Sequence, residues 1–336
     1  MILAAGYGTR LRPLTFNVPK PMVPVCNRPL IGYAVEGFLR EGVKEIVVNL
    51  HHLPKSIETY LEKTYGSQCK FHFSFEPEIL GTGGGVRKVR AILENEPEFF
   101  LVNGDTIQTP PYAGLLQKRR EKDALAALTL RHPPEGDRFT AVWFESGEIN
   151  GFGRGTGEAL MFSGSHVISS RIFKLLPEKE FSGIVDEVYQ PAIAKKSDII
   201  AGVIDEAPWF DIGTPHRYID AGSGVLDLTL EGALPLESGS KIVGDSVVHS
   251  TATILGKPVR SSIGVRSSIK GEVRNSIIGA NCRIGGSTSV ESCIIGDGVE
   301  IMHPVELRSA IICRDDEAIP REPSYRYENG LVIAVF

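Results

Sequence analysis

Leu3-Ala-Ala-Gly-Tyr-Gly-Thr-Arg-Leu-Arg-Pro-Leu-Thr15, with Val18-Pro-Lys-Pro-Met22 close behind, is the stretch that decides the fold. A short apolar run ends in a glycine-rich turn, and cationic side chains follow. Glycine lets the backbone approach a ligand and aim N–H groups at it. Arg10, Arg12 and Lys20 then supply positive charge for phosphate oxygens. Open α/β sheets bind ligands at the C-terminal ends of their parallel strands, so the segment reads as a polyphosphate site on such a sheet. A tight surface turn with solvated arginines is the plainer alternative. Two familiar phosphate loops do not fit. The pattern GxxxxGK[ST] is absent, and GxGxxG fails because Leu11 stands where its third glycine belongs.

Outward from this turn, short apolar strands alternate with amphipathic helices as far as about Leu230. Strands are expected at Glu45–Asn49, Phe71–Phe75 and Glu98–Val102, with helices at Ser56–Tyr65, Val86–Leu93 and Leu115–Glu121. This alternation predicts an α/β fold with a mostly parallel sheet. The first strand is short: only Met1, Ile2 and Leu3 precede the turn, where about 5–6 residues are usual. The natural chain is therefore expected to extend upstream.

From Lys241 the texture changes. Apolar residues recur at a step of six: Ile242, Val248, Ile254; Ile263, Ile269; Ile278, Ile284, Val290; Ile295, Ile301. That step, with glycines nearby, is the hexapeptide signature of a parallel β-helix of three to four coils. Breaks fall near 257–262 and 272–277, and a small β-sandwich is the alternative. The expected division is an α/β domain over 1–234, a β-helix over 240–315 and a tail over 316–336 that caps the last coil or folds back.

Composition narrows the function. The 336 residues are 42% hydrophobic and 23% charged, with a net charge of −5. This excludes general disorder and argues against an electrostatic nucleic-acid partner. The five cysteines show no CxxC, against a zinc ribbon or a disulfide framework. No apolar run is long enough to span a membrane and no signal peptide is visible, so a cytoplasmic location is expected.

Gly6 to Lys20 reads GxGTRLRPLT-xxx-PK. It closely resembles the signature loop of the sugar-1-phosphate nucleotidyltransferases. The resemblance implies a Rossmann-like catalytic domain followed by a left-handed β-helix, the handedness coming from the family alone. It implies nucleotide-binding roles for Leu3, Ala4, Ala5, Gly6, Gly8 and Thr9, and catalytic roles for Arg10 and Lys20. Val102-Asn-Gly-Asp105 and Trp209-Phe-Asp-Ile-Gly-Thr-Pro215 follow in matching order. They imply Gly104 near the nucleotide and Asp105 and Asp211 as Mg²⁺ ligands, since Mg²⁺ takes one or two carboxylates plus phosphate oxygens.

Glu76-Pro-Glu-Ile-Leu-Gly-Thr-Gly-Gly-Gly85 resembles the family's base-binding segment, with Glu76, Gly81 and Thr82 near the nucleotide. A carboxylate only accepts hydrogen bonds, so Glu76 suits guanine N1–H and N2–H₂, and also uracil N3–H. A helix-capping loop is the alternative. Met161-Phe-Ser-Gly-Ser-His166 resembles the family's sugar-side turn, which puts Ser163 and Gly164 at the sugar. The family's Glu-Lys-Pro is missing. Ile149-Asn-Gly-Phe-Gly-Arg-Gly-Thr-Gly157 stands instead, where Arg154 could meet the phosphate, Glu158 could bind a hydroxyl, or the glycines could mark a mobile loop. His51 and His52 read as a loop at the site rim, and Lys118–Lys122 as a solvated helix face. Asp186 reads as a helix-start residue or a neighbour of the sugar. His249 and His303 read as structural.

The expected reaction is transfer of a nucleotidyl group from an NTP to a sugar 1-phosphate, with release of pyrophosphate. PKPMVPV, WFDIGTP and the hexapeptide tail are most similar to mannose-1-phosphate guanylyltransferases, which points to GTP and mannose 1-phosphate. The alternatives are a uridylyltransferase for glucose 1-phosphate or an N-acetylated amino-sugar 1-phosphate, a catalytically silent nucleotide-sugar sensor, and a bifunctional enzyme with acyltransferase activity. Self-association through the β-helix is expected.

Overall fold

The computed structural model describes residues 1–136 and 139–336. They form two compact units, one from Met1–Gly6 and Ala34–Trp209, the other from Tyr7–Tyr33 and Phe210–Phe336. The glycine turn is thus divided. Its strand belongs to the first unit, and its cationic half belongs with the C-terminal part of the chain.

The first unit is built on a nine-stranded sheet. Its strands are β1 (Ile2–Leu3), β2 (Glu45–Leu50), β3 (Lys70–Phe75), β4 (Glu98–Asn103), β5 (Ala126–Arg131), β6 (Val142–Glu145), β7 (Glu148–Phe152), β8 (Glu158–Ser169) and β9 (Ile200–Ile204). The spatial order is β3-β2-β1-β4-β8-β5-β9-β7-β6. Around the glycine turn the sheet is parallel: Leu3 lies opposite Asn49 of β2 and Asn103 of β4. Beyond β4 it becomes mixed, because β8 runs antiparallel to both β4 and β5. The unbroken parallel run read from the sequence therefore belongs to the half that carries the turn, while in the other half, among the described residues, only β9 runs parallel to β5.

β2 is a nearly unbroken apolar run because helices cover a parallel strand on both faces. The helix Pro54–Tyr65 buries Ile57, Leu61 and Tyr65, one stripe at i, i+4 and i+8. The helix Tyr112–Glu121 buries Tyr112 and Leu115, and of its basic end Arg120 is exposed while Arg119 is mostly buried, so the expected solvated face is solvated only in part. There Arg119 and Arg120 converge on Glu98. Among the described residues no helix is long and apolar enough to cross a membrane.

In the second unit the hexapeptide reading becomes three parallel ladders. Val248, Ile263, Ile278, Ile295 and Ile312 stack in one. Ile254, Ile269, Ile284 and Ile301 stack in the second. Val273, Val290 and Leu307 stack in the third. The sequence breaks have a structural cause. Ile263 pairs with Ile278, but Ile278 pairs with Ile295, so early coils are shorter than later ones and both fall short of three full hexapeptides. The corners are turned by non-glycine residues at positive φ in register: Arg260, Asn275, Ser292 and Ser309. Serine hydroxyls inside the corner accept from the next coil, Ser246 from Ser261 N–H and Ser261 from Ser276 N–H, both at 3.1 Å.

Both ends are closed by antiparallel strands. Ser240–Val243 pairs with Ser246–His249, which takes Ile242 out of the repeat and leaves it exposed. At the other end Leu331–Val335 folds back on Ala310–Arg314, so the tail caps the last coil.

Candidate active site

In the first unit the glycine turn is fixed from below by a polar relay. Ala4 N–H donates to Asn49 Oδ1 at 2.7 Å, and Asn49 Nδ2 donates to Glu76 Oε1 at 2.8 Å. Leu80 N–H donates to Glu76 Oε2 at 2.9 Å. Glu76 is 0% exposed. Expected at a base edge, it instead has both oxygens engaged inside the protein, because a buried carboxylate must be satisfied where it lies. It aligns the turn at Ala4 and the start of α1 (Gly81–Lys88). Asn49 was missed from the sequence, where it reads as one more residue of an apolar strand. His51 Nδ1–H donates to the Glu76 carbonyl at 2.6 Å.

Leu3, Ala4 and Ala5 line the end of β1, Ala4 and Ala5 both buried, while Gly6 is exposed and a Cβ there would meet open space. Gly104 N–H donates to Leu3 O at 2.8 Å and so places half-buried Asp105 directly after β4. The glycines of α1 serve packing. A Cβ on Gly83 would stand 2.7 Å from Ser182 Oγ, and one on Gly84 would collide with the Glu180 carbonyl. They let α1 lie flush against residues 180–184, where exposed Thr82 accepts Ile184 N–H through Oγ1 at 2.9 Å. Gly81 has φ +73° and leads into that contact.

On the sugar side, β8 slips register against β5 between Phe162 and His166. Gly164 sits in the slip at φ +100°, and a Cβ would be 2.8 Å from Asn103 Nδ2. Ser163, expected to face a sugar, is buried. Its hydroxyl donates to Thr129 O at 3.2 Å, and its carbonyl accepts from Trp209 Nε1 at 2.9 Å and Gln108 Nε2 at 3.2 Å. Gln108 lies just after the first aspartate motif and Trp209 opens the second, and both hold this turn, a link invisible in the spacing. His166 is fully buried and bonded to Tyr189 OH at 2.9 Å, and burial pushes its pKa down to about 3. Glu158 is exposed and pairs with His132 Nε2 at 2.9 Å. His132 also meets Glu206 at 2.7 Å, and hydrogen bonding to Glu206, then to Glu158, raises its pKa. Arg154 stands exposed beside an open cavity of about 530 Å³ lined by Asn150, Phe152, Gln190 and Ile193. Asp186 is exposed and accepts from Gln190 Nε2 at 2.8 Å, a local helix contact.

In the second unit Gly8 adopts φ +63°, and a Cβ there would be 2.9 Å from Lys20 Cβ. Thr15 Oγ1–H donates to Gly8 O at 2.8 Å, so the loop closes on the backbone beside buried Lys20. Thr9 and Arg10 are exposed in the single 3-10 turn Thr9–Leu11. Asp211 lies a short turn before α2 (Pro215–Leu230), which Thr214 caps by accepting Arg217 N–H. Arg217 Nη1–H also donates to Asp211 Oδ2. A Cβ on Gly213 would be 2.8 Å from Asp211 Oδ2 and 3.1 Å from Arg10 Nη1. Arg10, Asp211 and Arg217 thus converge around one glycine. Arg217 was missed as well; its signal was its place in the first turn of the helix that Asp211 introduces. His249 bonds Thr251 locally, and His303 lies against Asn329.

The nucleotidyl transferase family matches residues 1–227, and a GlmU-like C-terminal hexapeptide domain matches residues 240–322. The chain is 30% identical to a probable mannose-1-phosphate guanylyltransferase 1 of Oryza sativa subsp. japonica, over 93% of this chain and 94% of that one. It is 31% identical to mannose-1-phosphate guanyltransferase 2 of Candida glabrata, over 75% of this chain and 72% of the other. Among solved structures, HddC from Yersinia pseudotuberculosis complexed with GMP-PN superimposes with a TM-score of 0.56 at 23% identity, covering 67% of this chain and 97% of that one. A UDP-glucose pyrophosphorylase from Acinetobacter baumanii gives 0.58 at 22%, covering 68% and 92%. These last two show the fold. The turn with its cations, the two aspartate motifs in order and the hexapeptide coils are accounted for together: the chain belongs to the nucleotidyl transferase family.

Proposed function

We propose that the protein joins GTP and mannose 1-phosphate to give GDP-mannose and pyrophosphate. The relatives named for that reaction, aligned over nearly the whole chain, support the choice of substrates. The observation that carries the chemistry is the convergence of Arg10 and Asp211 on Gly213, where a Cβ would stand 3.1 Å from the guanidinium and 2.8 Å from the carboxylate, so that a cation and a carboxylate share one backbone position.

A phosphate oxygen of the sugar 1-phosphate attacks the α-phosphorus in line, and pyrophosphate leaves. No covalent enzyme intermediate is needed, so the residues act by positioning and by neutralising charge. Exposed Arg10 stabilises the leaving pyrophosphate. Lys20, fixed beside Gly8, holds its ammonium for the transferred phosphoryl group. Gly6, with open space where a Cβ would stand, lets a triphosphate lie against the backbone.

Asp105 and Asp211 are the candidate ligands for Mg²⁺. Both are partly exposed oxygen donors, the donor type a hard cation takes. Among the described residues no group of three or more His, Cys, Asp or Glu could hold a metal ion. Bound at Asp105 and Asp211, Mg²⁺ would supply charge neutralisation for the phosphates.

The test is pyrophosphate release with the four NTPs and dTTP against mannose, glucose, N-acetylglucosamine and N-acetylmuramic acid 1-phosphates. Turnover with GTP and mannose 1-phosphate above every other pair is expected. Preference for UTP with glucose 1-phosphate or an amino-sugar 1-phosphate would replace the substrate reading. Nucleotide-sugar binding without turnover would replace the enzyme with a sensor.

A further inference from the structure

The signature segment does not stop at Lys20. Lys20–Met22 forms a 3-10 turn, and Pro24–Val25 pairs with Arg28–Pro29 in a two-residue hairpin directly after it. The two residues at its tip, Cys26 and Asn27, have φ of +46° and +68°. Such a tip suits glycine, and here it is built from two side-chain-bearing residues, so surrounding contacts must hold it.

Those contacts come from the C-terminal part of the second unit. Asn27 Nδ2 donates to Ile263 O in the first coil at 3.0 Å and to Ser240 Oγ at 3.1 Å. Arg28 is buried, and its Nε donates to Glu237 Oε2 at 2.6 Å while Nη2 donates to Pro235 O at 3.2 Å. Its guanidinium also lies 4.9 Å from the Tyr33 ring centroid. The strand leading into the tip is braced in turn: Tyr218 OH donates to Pro24 O at 2.6 Å and Tyr33 OH to Val25 O at 2.9 Å. Glu237 lies between the two family matches, and Ile263 lies inside the hexapeptide match.

We propose that the Asn27–Arg28 hairpin is a positioning device, through which residues 235–240 and the first β-helix coil set the place of Lys20. The inference rests on the catalytic reading of Lys20. The path between them is short and stiff, because Pro21 and Pro24 fix φ on either side of Met22 and Val23, and Val23 is fully buried. The β-helix on this reading takes part in catalysis, beyond any role in assembly.

The experiment uses the full-length chain and measures kcat and KM for both substrates, with melting temperature as the control for folding. Asn27→Ala and Glu237→Gln are expected to lower kcat about 10–100-fold, the scale of a small misplacement of a catalytic group. KM is expected to stay within about twofold, since ground-state binding survives. The loss from Asn27→Ala should largely disappear in a Lys20→Arg background, where the ammonium is already displaced. If Glu237→Gln does not fold, Glu237→Asp keeps the charge and shortens the reach, with the same fall in kcat expected. Wild-type kcat in soluble Asn27→Ala and Glu237 variants, with only a lower melting temperature, would overturn the proposal while an inert Lys20→Ala left the catalytic reading standing. Full activity of Lys20→Ala would remove that reading and the positioning role together.

Discussion

Asn49 joins two motifs that lie far apart in sequence: its amide oxygen takes the N–H of Ala4 at 2.7 Å and its amide nitrogen gives to Glu76 at 2.8 Å. Removing either end of this relay leaves a buried polar group unsatisfied, which costs about 1–3 kcal/mol. Asn49→Ala and Glu76→Gln are therefore expected to lower stability by that amount and to weaken nucleotide binding through the displaced turn. Urea unfolding and a KM series for the NTP would show it. Unchanged values in both variants would mean that the turn holds itself.

Lys20→Ala and Asp105→Ala should each lower kcat by about 10²–10³-fold or more, the usual loss for one electrostatic contributor. Circular dichroism should remain that of the native protein. Near-wild-type turnover in either purified variant would remove that residue from the mechanism.

Gly213→Ala should behave as an active-site variant although glycine carries no reacting group. Its methyl would meet Asp211 Oδ2 and Arg10 Nη1 at 2.8 and 3.1 Å, so one of them must move. A fall of about 10-fold or more in kcat is expected, in line with the sensitivity of positioned groups. Full activity would show that the carboxylate and the cation tolerate separation.

Acid should destabilise the protein through His166. Its pKa is about 3 in the folded state because burial disfavours the imidazolium, against about 6.5 unfolded. A lowered folded value means this stabilisation is complete above pH ~6.5 and declines as pH falls toward 3, by at most about 1.4 kcal/mol per unit. Unfolding free energies at pH 7 and pH 5 should differ in the wild type and converge in a His166→Phe, Tyr189→Phe double variant. Equal slopes in the two proteins would contradict the assignment.

The cysteines should resist thiol reagents in the native protein. All five are buried, and burial raises Cys26, Cys282 and Cys313 to about 12 and Cys293 to about 11, so the reactive thiolate is scarce at neutral pH. Titration with a disulfide reagent should be slow until denaturant is added. Rapid modification of the folded protein would reveal an opening in the β-helix or around the hairpin.

The sequence by itself determined the elements whose signal is local. Alternation of strand and helix, the glycine turn with its cations and the six-residue step each follow from neighbouring residues, and all three appear in the fold, although Ile242 falls outside the repeat and the helix expected over Val86–Leu93 is divided into Gly81–Lys88 and Arg90–Leu93. The step of six survived even though coil length varies, because each inward isoleucine or valine must sit above the one a coil earlier. Tertiary structure alone decided which polar groups are consumed inside the protein. Glu76 and Ser163 look like ligand contacts by residue type. They are instead satisfied by Leu80, four residues from Glu76, and by Asn49, Thr129, Gln108 and Trp209, which lie 27 to 55 positions away and are brought together only by the fold. It also decided that Tyr7–Tyr33 groups with the β-helix, through the Asn27 and Arg28 contacts. The physical reason is common to both cases. A buried hydrogen bond needs a partner at about 3 Å in space, and chain order does not encode that distance.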